Sequence, residues 1–234
     1  MGPNARALLQ PLTNADLSND AFPFATAREI EIGMTRARAH RISYVGELGW
    51  EIYMPTEMAR HVFDTIVAAG EPHGLRLCGM HVLDSCRIEK AFRHFGHDIS
   101  DEDHVLEAGL GFAVKVDKPA SRFGEFIGRE AVLAKKEAGL SKRLIQFQLT
   151  EPEPLLYHAE PIWRDGELTG YLTSGNYGHH LGAAIGLGYV ACETGETAGG
   201  ILGSAYEIEV AGTRFAATAS LKPLYDPKAE RVKV

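Results

Sequence analysis

Long apolar runs, paired cysteines and an excess of basic residues are all missing from this 234-residue chain. No stretch of about 18 apolar residues is present to span a bilayer, and Met1-Gly-Pro-Asn lacks the basic-then-apolar pattern of a signal peptide. No membrane partner is expected. Cys78, Cys86 and Cys192 are odd in number and fit no paired spacing; this argues against a disulfide framework or a zinc motif and for a reducing, cytoplasmic compartment. Lys plus Arg number 24 against 31 Asp plus Glu, a formal net charge of −7, so nonspecific attraction to nucleic acid is not expected. Neither Gly109-Leu-Gly111 nor Gly186-Leu-Gly188 has the third glycine of a dinucleotide fingerprint, so the chain carries no FAD motif of its own. What remains, 45% hydrophobic and 24% charged residues, is an ordinary globular composition whose default ligand is a small molecule.

The patterning divides the chain near residue 140. Before it, Ile30 to Ile32, Ala37 to Tyr44 and Gly49 to Met54 alternate as strands do and are expected to pair antiparallel. Thr56 is the expected N-cap of a helix carrying Met58, Val62, Phe63 and Ile66 at helical spacing and closing near Gly70. A short strand over Leu75 to Cys78, a helix over Met80 to Ala91, a strand over Leu110 to Val116 and a helix from Phe126 to about Ala138 complete an α+β part of residues 1–140. After it come six short strand patterns, Arg143 to Leu149, Pro161 to Trp163, Thr169 to Thr173, Ala184 to Val190, Tyr206 to Val210 and Thr213 to Ala217. Turns such as Asp165-Gly166 and Ala211-Gly212 separate them. Residues 141–234 therefore read as an all-β barrel or sandwich.

The stretch most in need of a ligand is RISYVGELGWEIYMP, Arg41 to Pro55. Its aromatic and β-branched residues suit a half-buried pleated surface, while Gly46 and Gly49 allow the chain to reverse. Tyr44 and Glu51 are expected on neighbouring strands. A carboxylate that faces inward there must find hydrogen-bond donors. The cluster of His94, His97 and His104 with Asp98, Asp101 and Asp103 matches no tight metal motif, and local hydrogen bonding to the loop backbone is the expectation.

Several motifs, in order, resemble the folate-binding aminomethyltransferase family, to which the glycine-cleavage T-protein belongs. They are Gly2-Pro3-Asn4-Ala5-Arg6, SYVGELGWEI, MHVLDSCRIEKAFRHFGHDI, LEAGLGFAVKVDK, FIGREA and LTSGNYGHHLGAAIGLGYV, and they span Gly2 to about Pro227. RIEKAFRHFGHDI and EPLLYHAEPIWRDGELTGYLTSG are most similar to the C-terminal folate modules of dimethylglycine and sarcosine dehydrogenases. The resemblance implies an α+β fold with ferredoxin-like elements, an antiparallel sheet packed by helices, followed by a C-terminal β-barrel. It implies a tetrahydrofolate site in which Tyr44 and Glu51 contact the pterin. Arg87, Glu89 and Tyr177 are second-tier candidates, and no metal is implied. A pterin edge presents two parallel N–H donors that one carboxylate can accept.

The implied activity is that of a tetrahydrofolate-dependent module of one-carbon metabolism forming 5,10-methylenetetrahydrofolate from glycine-derived or N-methylglycine-type amines. The alternative is a non-catalytic folate-binding or interaction module. The family's catalytic aspartate precedes the Gly-Pro motif, so no residue here takes its role, and an N-terminal or FAD-carrying domain is expected outside this chain. Leu83 stands where the T-protein has an arginine before the Asp-Ser pair, which removes one cationic contact for the folate tail.

Overall fold

The computed structural model describes residues 1–117 and 126–234. It divides into unit 1, formed by Met1–Lys90 with Asp226–Val234, and unit 2, Ala91–Tyr225.

In unit 1, helix α1 (Ala5–Leu9) precedes a three-stranded antiparallel sheet of β1 (Ala27–Ile32), β2 (Thr35–His40) and β3 (Glu51–Tyr53), in that order. Alternation decides its two faces. Ile30, Ile32, Ala37 and Ala39 turn inward and join Leu8, Phe22 and Trp50 in one core, whereas Glu29, Glu31, Arg36 and Arg38 point outward and are exposed. Helix α2 (Ala59–Gly70) covers the inner face through Val62 and Ile66. Thr56 does not cap it. Pro55 is extended and its carbonyl accepts Met58 N–H, so a 3-10 turn over Thr56–Met58 comes first and Met58 is the N-cap.

Leu75 to Cys78 is not a strand. Gly74 adopts φ 72° after a 3-10 turn, and Leu77 is 71% exposed with no sheet edge beside it. Helix α3 (Met80–Glu89) appears where expected but stops earlier, because Ala91 takes a left-handed φ of 52°. Its buried face also differs from the expectation: Ser85, Arg87, Ile88 and Glu89 are enclosed while Val82 is exposed.

In unit 2, Leu110 to Val116 gives a 3-10 turn at Gly111–Ala113 instead of a strand, and its Phe112 is exposed. Gly128, at φ 88°, delays helix α4 to Arg129–Ala138. The six expected strands form a closed antiparallel barrel: β4 (Lys142–Leu149), β5 (Pro161–Arg164), β6 (Glu167–Gly178), β7 (Ala183–Ala191), β8 (Tyr206–Val210) and β9 (Thr213–Ser220), in the order β4-β7-β6-β5-β8-β9. A short helix, α5 (Ala198–Gly203), joins β7 to β8. Asp165-Gly166 and Ala211-Gly212 both have positive φ at the two central residues, the hairpin geometry that matches strand twist. Closure leaves no open sheet edge.

The Gly186-Leu-Gly188 run is a packing device. A Cβ at Gly188 would lie 2.6 Å from Ile162 Cδ1 and 2.7 Å from the Tyr171 carbonyl, and one at Gly186 would lie 2.8 Å from Leu172 Cδ1. The histidine-rich loop is fastened to the barrel. Asp98, fully buried, accepts the Thr173 hydroxyl at 2.6 Å and His94 N–H at 2.9 Å, and Tyr189 donates to its carbonyl at 3.0 Å. His104 Nδ1 accepts Leu106 N–H at 3.1 Å. Glu107 ties α4 to β4. It accepts Lys135 Nζ at 2.7 Å and the hydroxyl and N–H of Ser141 at 2.8 and 3.1 Å. Burial raises its pKa, but the Lys135 ammonium and the two Ser141 donors outweigh burial and hold it at about 2.

Two outcomes follow for stability. Gly188→Ala should lower the urea unfolding free energy by roughly 2 kcal/mol, because the Tyr171 carbonyl opposes the new methyl group as well as the Ile162 side chain, and backbone cannot step aside cheaply. A Glu107→Gln variant should be less stable than wild type at pH 7 by about 1–2 kcal/mol. Because the folded-state pKa is depressed, that contribution is present above the ordinary carboxylate range and is lost as pH falls toward 2. Urea titrations at descending pH should therefore show the two proteins converging; a constant gap down to pH 2 would remove Glu107 from the acid response.

Candidate functional site

The connection between β2 and β3 holds the candidate residues. It starts with Arg41, whose side chain is enclosed, with 1% of its surface exposed. Its guanidinium donates to the Phe22 carbonyl at 2.9 Å and to main-chain oxygens of Val232 and Val234 at 3.3 and 3.1 Å, and lies 5.4 Å from the Trp50 ring. Burial, followed by the charge of Arg6, lowers its pKa from the usual value. Arg41 N–H bonds Thr26 and its carbonyl accepts Ala25 N–H, while Ile42 N–H reaches back to His40 at 3.0 Å, a γ-turn that ends the strand.

Tyr44 therefore does not stand on a strand beside Glu51. It sits half-buried in a turn built around Ser43, whose hydroxyl oxygen accepts the N–H groups of Val45 at 3.3 Å and Glu47 at 3.1 Å. Gly46 takes φ 77°, and a Cβ there would lie 2.5 Å from Lys90 Cγ. Leu48 and Trp50 then re-enter the core, with Gly2 N–H on the Leu48 carbonyl at 2.7 Å.

Glu51 opens β3 directly opposite His40, on the outward face of the sheet. Its Oε2 accepts the Tyr53 hydroxyl at 2.8 Å, and among the described residues it has no other hydrogen-bond donor. That bond, and then the Glu51 charge, raises the Tyr53 phenol pKa. Tyr53 and His40 meet with ring centroids 5.0 Å apart. Both line an open depression of about 490 Å³ that is also bounded by Glu29, Arg36 and Arg38. Tyr53 and His40 were missed in the sequence. Tyr53 follows from alternation, two residues beyond Glu51 on the same strand, whereas His40 required the β2–β3 register. A second cavity of about 410 Å³ lies on the inner side, beside Trp50, Ile52, Ile66, His73 and Arg76.

Arg87 and Glu89 are 2% and 1% exposed. Both are enclosed, and Arg87 Nε bonds Asp84 Oδ1 at 3.0 Å within α3. Next to them Lys90, also 2% exposed, places its ammonium 2.9 Å from Asp226 Oδ2. Tyr177 belongs to unit 2, near the end of β6, with its ring edge-on to His179 at 5.3 Å. Among the described residues no group of three or more His, Cys, Asp or Glu is placed to hold a metal ion. The unit 1 geometry offers an acceptor carboxylate with spare capacity, aromatic neighbours and a fixed turn, an arrangement suited to a planar heterocycle with adjacent N–H donors.

Comparison with known proteins places this geometry in a family. The model described as the GCVT N-terminal domain matches residues 1–118, and that of the glycine cleavage T-protein C-terminal barrel domain matches residues 142–226. The 4-methylaminobutanoate oxidase (formaldehyde-forming) of Paenarthrobacter nicotinovorans is 38% identical over 233 residues, covering 100% of this chain and 27% of the relative. Mitochondrial sarcosine dehydrogenase of Homo sapiens is 38% identical over 234 residues, covering 99% of this chain and 25% of the relative. The chain thus spans about a quarter of the length of these relatives. The crystal structure of the glycine cleavage system aminomethyltransferase T from Bartonella henselae superposes with a TM-score of 0.77 at 23% identity, over 94% of this chain and 57% of that one, which establishes the shared fold. Two family models in succession, in the family's order and on its fold, show that this chain belongs to the glycine cleavage T-protein family.

Proposed function

We propose that this chain is a tetrahydrofolate-binding module of one-carbon metabolism. The observation that carries the reading is Glu51, an outward-facing carboxylate with one oxygen engaged by Tyr53 and the rest of its acceptor capacity open. Membership of the family supports it. The donor set fits the ligand: a 2-amino-4-oxo pterin edge needs an acceptor for two parallel N–H groups, and a carboxylate supplies one. Tyr44, half-buried in the turn, offers a ring face for the ligand. When bound, tetrahydrofolate would supply the amine nitrogen that captures a one-carbon unit from an aminomethyl amine, or from an N-methyl amine once a two-electron oxidant such as a flavin has raised its methyl carbon to the iminium level, giving 5,10-methylenetetrahydrofolate. This chain's task is to bind, orient and shield from water. We assign no residue of this chain the role of proton acceptor, and it has no dinucleotide fingerprint for FAD. The three cysteines are free, which suits the cytoplasmic placement we propose.

Calorimetry with tetrahydrofolate tests the reading. Wild type should bind, and Glu51→Gln should bind at least roughly ten-fold more weakly, since a charged acceptor to two N–H donors is replaced by a neutral amide. Unchanged affinity in Glu51→Gln would take Glu51 out of the site, and no binding by wild type would sink the proposal. Tyr44→Ala should cost roughly five-fold in affinity through lost stacking. A second reading, binding without catalysis, gains if the protein binds tetrahydrofolate but forms methylenetetrahydrofolate no faster than the protein-free reaction when supplied with an aminomethyl amine, whose carbon is already at the formaldehyde level.

A further inference from the structure

We propose that the segment Asp226–Val234 is a positioning strap for the turn at 43–49, acting through Arg231, and that it presets Tyr44 for its ligand; this rests on the folate reading above. The turn has no sheet pairing of its own. Its backbone is organised by the Ser43 hydroxyl and, at Leu48, by the Gly2 N–H, weak restraints for a connection that must hold one conformation. If it sampled several, only the competent fraction would bind, and the apparent affinity would fall in proportion.

The strap supplies what the turn lacks. Lys90 Nζ donates to Asp226 Oδ2 at 2.9 Å and to its carbonyl at 2.6 Å. The same carboxylate accepts Glu230 N–H at 2.9 Å and Arg231 N–H at 3.3 Å, so the backbone that carries Arg231 is fixed by a buried ammonium. Arg231 Nε then donates to Glu47 Oε1 at 2.9 Å. On the other side, the aliphatic stem of Lys90 packs under Gly46 closely enough to exclude a Cβ. Gly46 and Glu47, consecutive in the turn, are thereby gripped by one connected set of groups. Val232, 3% exposed, and the Arg41 bond to its carbonyl anchor the strap's far side.

An ion pair with Arg231 half exposed contributes little to global stability, and this separates positioning from a purely structural role. Arg231→Ala should shift the thermal midpoint of the 234-residue chain by no more than about 2 °C yet weaken tetrahydrofolate binding by roughly three- to ten-fold. Arg231→Lys should restore part of the affinity, since it keeps a cation opposite Glu47. Hydrogen exchange of ligand-free Arg231→Ala should accelerate at the Val45 and Glu47 amides and leave α2 unchanged. Wild-type protection at 45 and 47 in that variant, or affinity within two-fold of a wild type that binds, would overturn the strap. Failure of wild type to bind, with accelerated exchange in the variant, would overturn the folate reading and leave the strap as a brace for the turn only.

Discussion

The buried guanidinium of Arg41 is the constraint from which the candidate site follows. A charge removed from water is costly unless it is hydrogen-bonded, and a guanidinium is the cation best suited to burial because it is weakly hydrated and presents a planar fork; Arg41 engages both terminal nitrogens and leaves its buried Nε without a partner. Arg41 meets main-chain oxygens of Phe22, Val232 and Val234 and lies against Trp50. These contacts draw residue 41 out of the strand line. The γ-turn at His40 to Ile42 follows, and the connection that carries Tyr44 is a turn and not a continuation of β2.

Burial and exposure are sorted sharply along this segment. Arg87, Glu89 and Lys90 are charged yet enclosed, and the contacts of Arg87 with Asp84 and of Lys90 with Asp226 make that enclosure tolerable. Glu51 is the opposite case: it stands on the outward face with a tyrosine hydroxyl on one oxygen. Charges that support the fold are held by protein donors and acceptors, whereas the carboxylate assigned to a ligand has one protein donor. This difference, more than residue type, separates supports from contacts in unit 1.

Unit 2 reaches stability by another route. Its barrel closes on itself and has no edge to protect, and its tight spots at Gly186 and Gly188 are filled by the Leu172 and Ile162 side chains together with neighbouring backbone. The histidine-rich loop owes its order to Asp98, whose carboxylate and carbonyl are both engaged by barrel side chains. The polar content of that loop is used in fastening it.

Local pattern was enough to give the six barrel strands, because period-two alternation and paired positive-φ turns leave few alternatives for short apolar segments. It also gave α3 and the outward placement of charged residues on β1 and β2. Where apolar runs had no partner edge within reach, at Leu75 to Cys78 and Leu110 to Val116, the same pattern misled, since a strand exists only by pairing. The motifs alone identified the family and pointed to Tyr44 and Glu51. Only tertiary structure could decide that Arg41 is buried, that His40 faces Glu51 and that Asp226–Val234 returns to unit 1. Those facts depend on residues far apart in the chain meeting at one place, and no local periodicity encodes such a meeting.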